Sequence, residues 1–332
     1  MTSFFKDLNN FFKLHSKKYC SRICFFNENK FTFEYLKPYI KEKAKKHKIL
    51  IFSFCELDEN INNAKILVLK NNFFREFYFL TSKNKTIYST TPDLNNSIFK
   101  TSKFQKNIYI YLQHSSVSLI HAYNKNAFIN FDAIQAVNEF QFNDEKLIKK
   151  ILKKKIRGFK SKYKIINKIL KKSDKKETYD LMIAPSWSTG FYNKDFYTFV
   201  DKLIKFNIRF VLRPHPMSIN KKELNINSLI KKGVIIDNDK IPNFSKTKNL
   251  VSDSSGVIFE FMFVKKRMPI LIDGFEKNLS NEFKNEITFE KYVKNNLAIN
   301  LDYKNLLNCD LNELLFSKSL EFNRSKFFKF FY

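Results

Sequence analysis

The spacing of hydrophobic positions changes repeatedly along this chain, and each change marks an element. "KILIFS", Lys48 to Ser53, is a nearly unbroken apolar run of strand length. "AKILVLK" and "EFYFLTS" follow with the β-branched and aromatic content of strands. "NIYIYLQH" predicts a strand ending at His114, and "FINFDAIQAVN" predicts another that passes into a loop. The second half alternates more plainly. "TYDLMIAPSW" predicts a strand and loop, "KDFYTFVDKLIKF" an amphipathic helix, and "NIRFVLRPHP" a strand with a proline-stiffened end. "GVIID", "NLVSD", a helix from about Ser255 to Lys266 and "MPILID" complete the series. Strand, helix and strand at these lengths predict an α/β fold with Rossmann-like, doubly wound parallel sheets.

Two stretches follow another pattern. "MTSFFKDLNNFFKLHSKKY" places Phe4, Phe5, Leu8, Phe11 and Phe12 on one helical face. Such a helix either covers a core or lies on a membrane. "EKLIKKILKKKIRGFKSKYKIINKILKKSDKK" is basic, with Ile and Leu at helical spacing, and predicts one or two amphipathic helices joining two domains. A length of 332 residues also suits two domains. The expected division is an N-terminal acceptor-side unit over 1–150, a basic helical linker over 151–176 and a nucleotide-binding unit over 177–310. A C-terminal helix over 311–332 would pack back on the first unit.

Composition sharpens this only in part. A hydrophobic fraction of 44% with 17% aromatics supports a substantial core and excludes global disorder. The formal net charge of +28 would attract nucleic acid, an anionic membrane or phosphorylated ligands. Abundant Lys, Asn, Ile and Phe with 5 Gly is equally what an AT-rich coding sequence favours, so charge does not choose among these. Cys20, Cys24, Cys55 and Cys309 have no zinc spacing with histidines. No cleavable signal pattern and no apolar run of about 20 residues is present. The expectation is a reduced, cytoplasmic protein, soluble or peripheral at the inner face of the membrane.

The candidate chemistry sits where predicted strands end, which is where doubly wound sheets bind ligands. "NLVSD" delivers Asp253, Ser254, Ser255 and Gly256 to a helix start, whose backbone N–H groups and partial positive charge suit a phosphate. Ordinary capping by Ser or Asp gives the same pattern. Glu260, one turn into an apolar helix, needs a partner: a ribose hydroxyl pair or a buried cation. "RPHP" offers Arg213 for bidentate phosphate pairing and His215 as a donor toward a leaving group, or simply a rigid turn. "APSWSTG" adds the hydroxyls of Ser186 and Ser188. His114, at a strand end in the first half, could act as general base on an acceptor hydroxyl. Neither a Walker loop nor a dinucleotide fingerprint occurs, and "DND" at Asp237 reads as a turn.

Taken together, "YSTTPDL", "IYIYLQHSS", "LMIAPSWS", "RPHP" and "SDSSGVIFEFMFVKKRMPILID" resemble the CDP-glycerol glycerophosphotransferase family of teichoic-acid and capsule synthesis. The match spans about Tyr88 to Gly274. The resemblance implies a GT-B-like fold, two Rossmann-like domains facing a cleft. It implies His114 as the base, His215 and Arg213 on the donor diphosphate, and Ser254, Ser255 and the helix start on its phosphates. The reaction implied moves glycerol phosphate from a CDP-linked donor to a hydroxyl of a polysaccharide or lipid-linked acceptor, releasing CMP. No metal or other cofactor is required. The sequence departs from the family pattern in having Ser-Ser after His114, no residue between Asp253 and the serine pair, and Ser188 after the tryptophan. The motifs also resemble those of CMP-sugar transferases of capsule assembly, an alternative with the same leaving group. A non-catalytic basic RNA- or membrane-binding protein is a third reading; no RNA-binding signature supports a nucleic-acid partner.

Overall fold

The computed structural model describes residues 2–16, 21–94, 106–123, 125–171, 176–274, 283–317, 320–322 and 324–332. The chain divides into two units. Unit 1 comprises Met1–His114, Tyr123–Ile165 and Phe331–Tyr332, and unit 2 comprises Ser115–Ala122 and Ile166–Phe330. No helix among the described residues is long and apolar enough to cross a membrane.

Unit 1 starts with α1 (Thr2–His15), β1 (Ile23–Asn27), α2 (Lys30–Ala44), β2 (Ile49–Ser53) and β3 (Ala64–Val68). It continues with α3 (Asn72–Thr81), β4 (Thr86–Ser89) and β5 (Ile108–Tyr111). After α4 (Leu119–Ala122), which clusters with unit 2, come β6 (Ala133–Ala136), α5 (Glu139–Leu152) and β7 (Arg157–Lys160). The seven strands are parallel, in the order β3-β2-β1-β4-β5-β6-β7. Winding therefore reverses between β1 and β4. α2 packs Phe33, Leu36 and Ile40 against Phe25, Ile49 and Ile51, while Phe26 and Phe52 meet Phe79 of α3 on the other face.

Two expectations are corrected here. "EFYFLTS" is not a strand but the end of α3. Its buried residues are Phe74, Tyr78 and Phe79, a helical spacing, and Asn71 caps its start by accepting from the Phe73 N–H. Aromatic content alone does not distinguish the two periods. The basic stretch from Glu145 to Lys176 is not simply a helical linker either. It finishes α5, forms the edge strand β7 and then enters α6 (Ile166–Lys171) of unit 2. Gly158 permits this, because any Cβ there would overlap the Glu145 carboxylate of α5.

Unit 2 continues with β8 (Tyr179–Ile183), α7 (Lys194–Lys205), β9 (Phe210–Leu212), α8 (Pro216–Asn220), α9 (Ile226–Lys231) and β10 (Ile235–Ile236). Then come β11 (Thr247–Ser252), α10 (Val257–Lys265), β12 (Ile270–Ile272), α11 (Phe289–Asn296) and β13 (Ile299–Leu301). Three short helices close the series: α12 (Tyr303–Asn308), α13 (Leu311–Phe316) and α14 (Ser325–Phe328). The sheet order is β10-β9-β8-β11-β12-β13, all parallel. Counting within the unit, this is 3-2-1-4-5-6, the Rossmann order, with its reversal between β8 and β11. Leu181, Ile183, Phe199, Leu203 and Leu212 form its core with Val251 and Ile270. The last two residues return to unit 1, where Phe331 bridges Asn138.

Candidate functional site

The reversal between β8 and β11 places two polar loops side by side at the carboxyl ends of adjacent strands. Asp253, the first residue after β11, reaches the loop after β8. Its Oδ1 accepts from the Ser186 N–H at 2.8 Å, and its Oδ2 accepts from Ser186 Oγ at 2.7 Å and Thr189 Oγ1 at 3.1 Å. Burial pushes the Asp253 carboxyl up, and these bonds from Ser186 and Thr189 counter it. Asp253 and Ser186 thus hold the two loops together.

Asp253 is thereby not spent on the start of α10. Gly256 occupies the cap position and no side chain caps the helix, so the ordinary capping expected as one reading of the sequence is absent. Ser254 is buried, and its Oγ has no hydrogen-bond partner. An unpaired buried hydroxyl is costly, and a ligand oxygen would satisfy it. Two more buried hydroxyls of unit 2, Tyr192 Oη and Ser218 Oγ, face each other. Burial raises the Tyr192 phenol, reinforced by the nearby Asp253 and Glu223 carboxylates, so it stays a neutral donor. Gly256 has another use than access for a phosphate. A Cβ there would collide with Ser115 Oγ and crowd Val117 Cγ1 at 3.2 Å, so the glycine admits the segment Ser115–Val117. Ser255 is half-buried beside it.

The loop after β8 turns through Ser188, whose φ of 60° is left-handed. Glu223 holds that turn, accepting the Ser188 N–H at 3.1 and 3.2 Å. The Trp187 ring stacks near His215, centroids 6.2 Å apart, and the Lys221 ammonium lies 4.3 Å from the centre of the same indole. Lys221 also donates to Ser188 Oγ at 3.3 Å. Arg213 and His215 follow β9, the neighbour of β8, as expected. Their bonds are more committed than the sequence indicates. Arg213 Nη1 donates to Asp237 Oδ2 at 2.8 Å, so the pair is net neutral and Asp237 is more than a turn residue. His215 Nδ1 accepts the Met217 N–H and caps α8. Glu260 is buried one turn into α10.

His114 belongs to unit 1, three residues past the end of β5 rather than at it. The residue is half-buried but its Nδ1 is fully so, and the ring is edge-on to Tyr35 and Tyr123. Tyr111 Oη donates to Tyr123 Oη at 2.9 Å, and Tyr123 Oη lies 3.4 Å from His114 Nε2. Burial pulls the imidazole pKa down to about 4, partly offset by the Thr90 backbone. His114 is therefore unprotonated at neutral pH, the state a base requires.

Sequence reasoning missed Thr189, Lys221, Glu223 and Glu290. Glu290, near the start of α11, is buried, and its Oε1 accepts the Ser118 N–H at 2.9 Å. Ser118 Oγ in turn accepts the Phe289 N–H at 2.8 Å. The motif spacing carries no trace of this pairing, 172 residues apart.

No family model and no curated protein matches the chain by sequence. Solved structures do match it. The wall teichoic acid polymerase TagF, as a histidine-to-alanine variant, is 12% identical, with 100% of this chain and 93% of that chain covered and a TM-score of 0.57. A histidine-to-asparagine variant of TagF soaked with CDPG gives 13% identity, 99% and 92% coverage, and 0.55. The chain thus shares the TagF fold over its whole length, and the GT-B-like α/β class expected from the sequence holds.

Proposed function

We propose that the protein is a transferase that binds a cytidine-nucleotide donor at the β8–β11 reversal and moves glycerol phosphate to an acceptor hydroxyl. The observation that carries this reading is the uncapped start of α10 beside the buried, unpartnered Ser254 hydroxyl. Backbone N–H groups there, with Ser254 and Ser255, would take the donor phosphates. His215 and the Lys221 ammonium would offset charge growing on the leaving phosphate, and Glu260 would take the ribose. Arg213, already paired with Asp237, contributes oriented N–H donors rather than free charge. His114 would take the proton of the acceptor hydroxyl as its oxygen bonds to the phosphorus bearing glycerol. The phosphorus–oxygen bond to CMP then breaks, and CMP leaves with both bonding electrons. The TagF likeness supports this chemistry, as does the resemblance of the motifs.

Two substitutions test it, with CDP-glycerol as the probe. His114→Ala is expected to lower CMP release at least 100-fold while donor affinity changes less than threefold. Ser254→Ala with Ser255→Ala is expected to weaken donor binding at least tenfold, with thermal stability nearly unchanged because an unpaired buried hydroxyl is removed. Equal loss of binding and turnover in both proteins would overturn the assignment. Turnover of CMP-sugars instead would select the sugar-transfer reading, which shares the leaving group.

A further inference from the structure

A parallel sheet normally has both faces covered. In unit 1 the described residues cover one face only in part. Right-handed crossovers put connections on one face while the chain winds one way and on the other once it reverses. From β1 to β3 the chain winds in one direction, with α2 on that face. From β3 it returns and continues through β4 to β7, so α3 and α5 lie on the opposite face. The contacts agree: Phe25 packs with α2, Phe26 with Phe79 of α3, and Gly158 beneath Glu145 of α5.

On the α2 face, paired residues form a continuous row across the sheet, Phe25–Tyr88–Ile110–Ala133–Arg157. That row, with Ile108 and Phe159, floors a cavity of about 980 Å³. Ile108 is 49% exposed although β5 is an interior strand. The floor is apolar, but three lining cations are not paired with any acid among the described residues: Lys43, Lys155 and Arg157. The other two lysines of the lining are engaged, Lys149 with Glu145 and Lys164 with Glu42. Of the lining acids, Glu42 is thus paired and Asp132 accepts the Tyr109 N–H. Arg157 begins β7, Lys155 lies two residues before it, and Lys43 is in the last turn of the antiparallel α2. The unpaired charge therefore gathers at the amino ends of the strands, whereas His114 lies beyond their carboxyl ends.

We infer that this groove binds one anionic amphiphile. An acyl or isoprenyl chain lies across Tyr88, Ile108, Ile110 and Phe159, and its phosphate meets Lys43, Lys155 and Arg157. Charge complementarity selects the occupant: a neutral lipid leaves Lys155 and Arg157 unanswered and Lys43 with only the Tyr88 ring, 5.6 Å from its ammonium, and a free phosphate leaves the apolar floor in water. A cavity of this size falls within the range of small-molecule sites. The inference does not rest on the transferase reading.

The test is calorimetric titration of the full chain with dodecyl phosphate below its aggregation concentration. Saturable binding at one equivalent is expected. Dodecyl maltoside should bind at least tenfold more weakly, and inorganic phosphate should show no saturable binding. Lys155→Glu with Arg157→Glu, both at exposed positions, should weaken dodecyl phosphate binding at least tenfold with an unchanged thermal melt. Lys231→Glu, exposed on unit 2, should leave it unaltered. Lys43→Gln provides a second charge-removing variant with the same expected direction. Unchanged affinity after charge reversal, competition by inorganic phosphate equal to that of dodecyl phosphate, or binding only to micelles would overturn the inference.

Discussion

At the scale of single residues, His114 couples the proposed chemistry to stability. Its imidazole is held near a pKa of about 4, against an ordinary value of 6.5, because burial disfavours the charged form. The unfolded chain thus binds the proton more readily than the folded one. The resulting stabilisation is complete above about pH 6.5 and is lost as pH falls from there toward 4. Denaturant titrations at pH 7.5 and 4.5 should show His114→Gln losing less stability between the two than the parent protein. An identical loss in both would exclude His114 as the source. Legibility was uneven at this scale. His114, Asp253 and Ser254 stood out in the sequence because polar residues at apolar strand ends are conspicuous. What each side chain binds did not, since the Asp253–Ser186 and Arg213–Asp237 bonds join loops that meet only once the sheet forms.

Among elements, the glycine at the head of α10 has a measurable structural role. Gly256→Ala would drive a methyl into Ser115 Oγ, and overpacking of this kind costs about 1–3 kcal/mol. Adding Ser115→Ala removes the colliding oxygen and leaves contacts of 3.5 Å to the Cβ of residue 115 and 3.2 Å to Val117 Cγ1, so the double variant should recover part of the loss in a thermal melt. Additive destabilisation would refute that packing. In unit 2, β8, α7, β9, β10, β11, α10 and β12 were legible because apolar runs and prolines agreed, whereas β13 and the short helices α8, α9, α11 and α12 were not read. In unit 1 "EFYFLTS" misled, since seven residues rich in aromatics satisfy both periods and only the packing of Tyr78 and Phe79 on Phe52 decides. Strand β7 was hidden by lysines, which are tolerated because it is an edge strand.

For the whole molecule, exposed aromatic side chains gather on α1 and α3. α1 packs part of its phenylalanine set on the body and exposes the rest. Phe11 packs on Phe74 and Phe77 of α3, while Phe5 and Phe12 remain 60% and 63% exposed, beside Phe73 at 65%. We propose that this aromatic face meets an anionic membrane. Flotation with phosphatidylglycerol vesicles should recover the protein, and recovery should fall with added salt. Replacing Phe5, Phe12 and Phe73 with Ser should cut recovery several-fold; undiminished recovery would exclude this face.

The chain passes between the two units four times, after residues 114, 122, 165 and 330. Neither unit is therefore a removable module. A fragment beginning at residue 166 would lack Ser118, leaving the Glu290 carboxylate buried without that N–H donor, and a fragment ending at 165 would lack the Phe331 bridge to Asn138. Grafting a new donor specificity onto this scaffold thus calls for exchanging loops at strand ends within an intact chain, because exchanging halves at the obvious midpoint would unpick the seams that cross it.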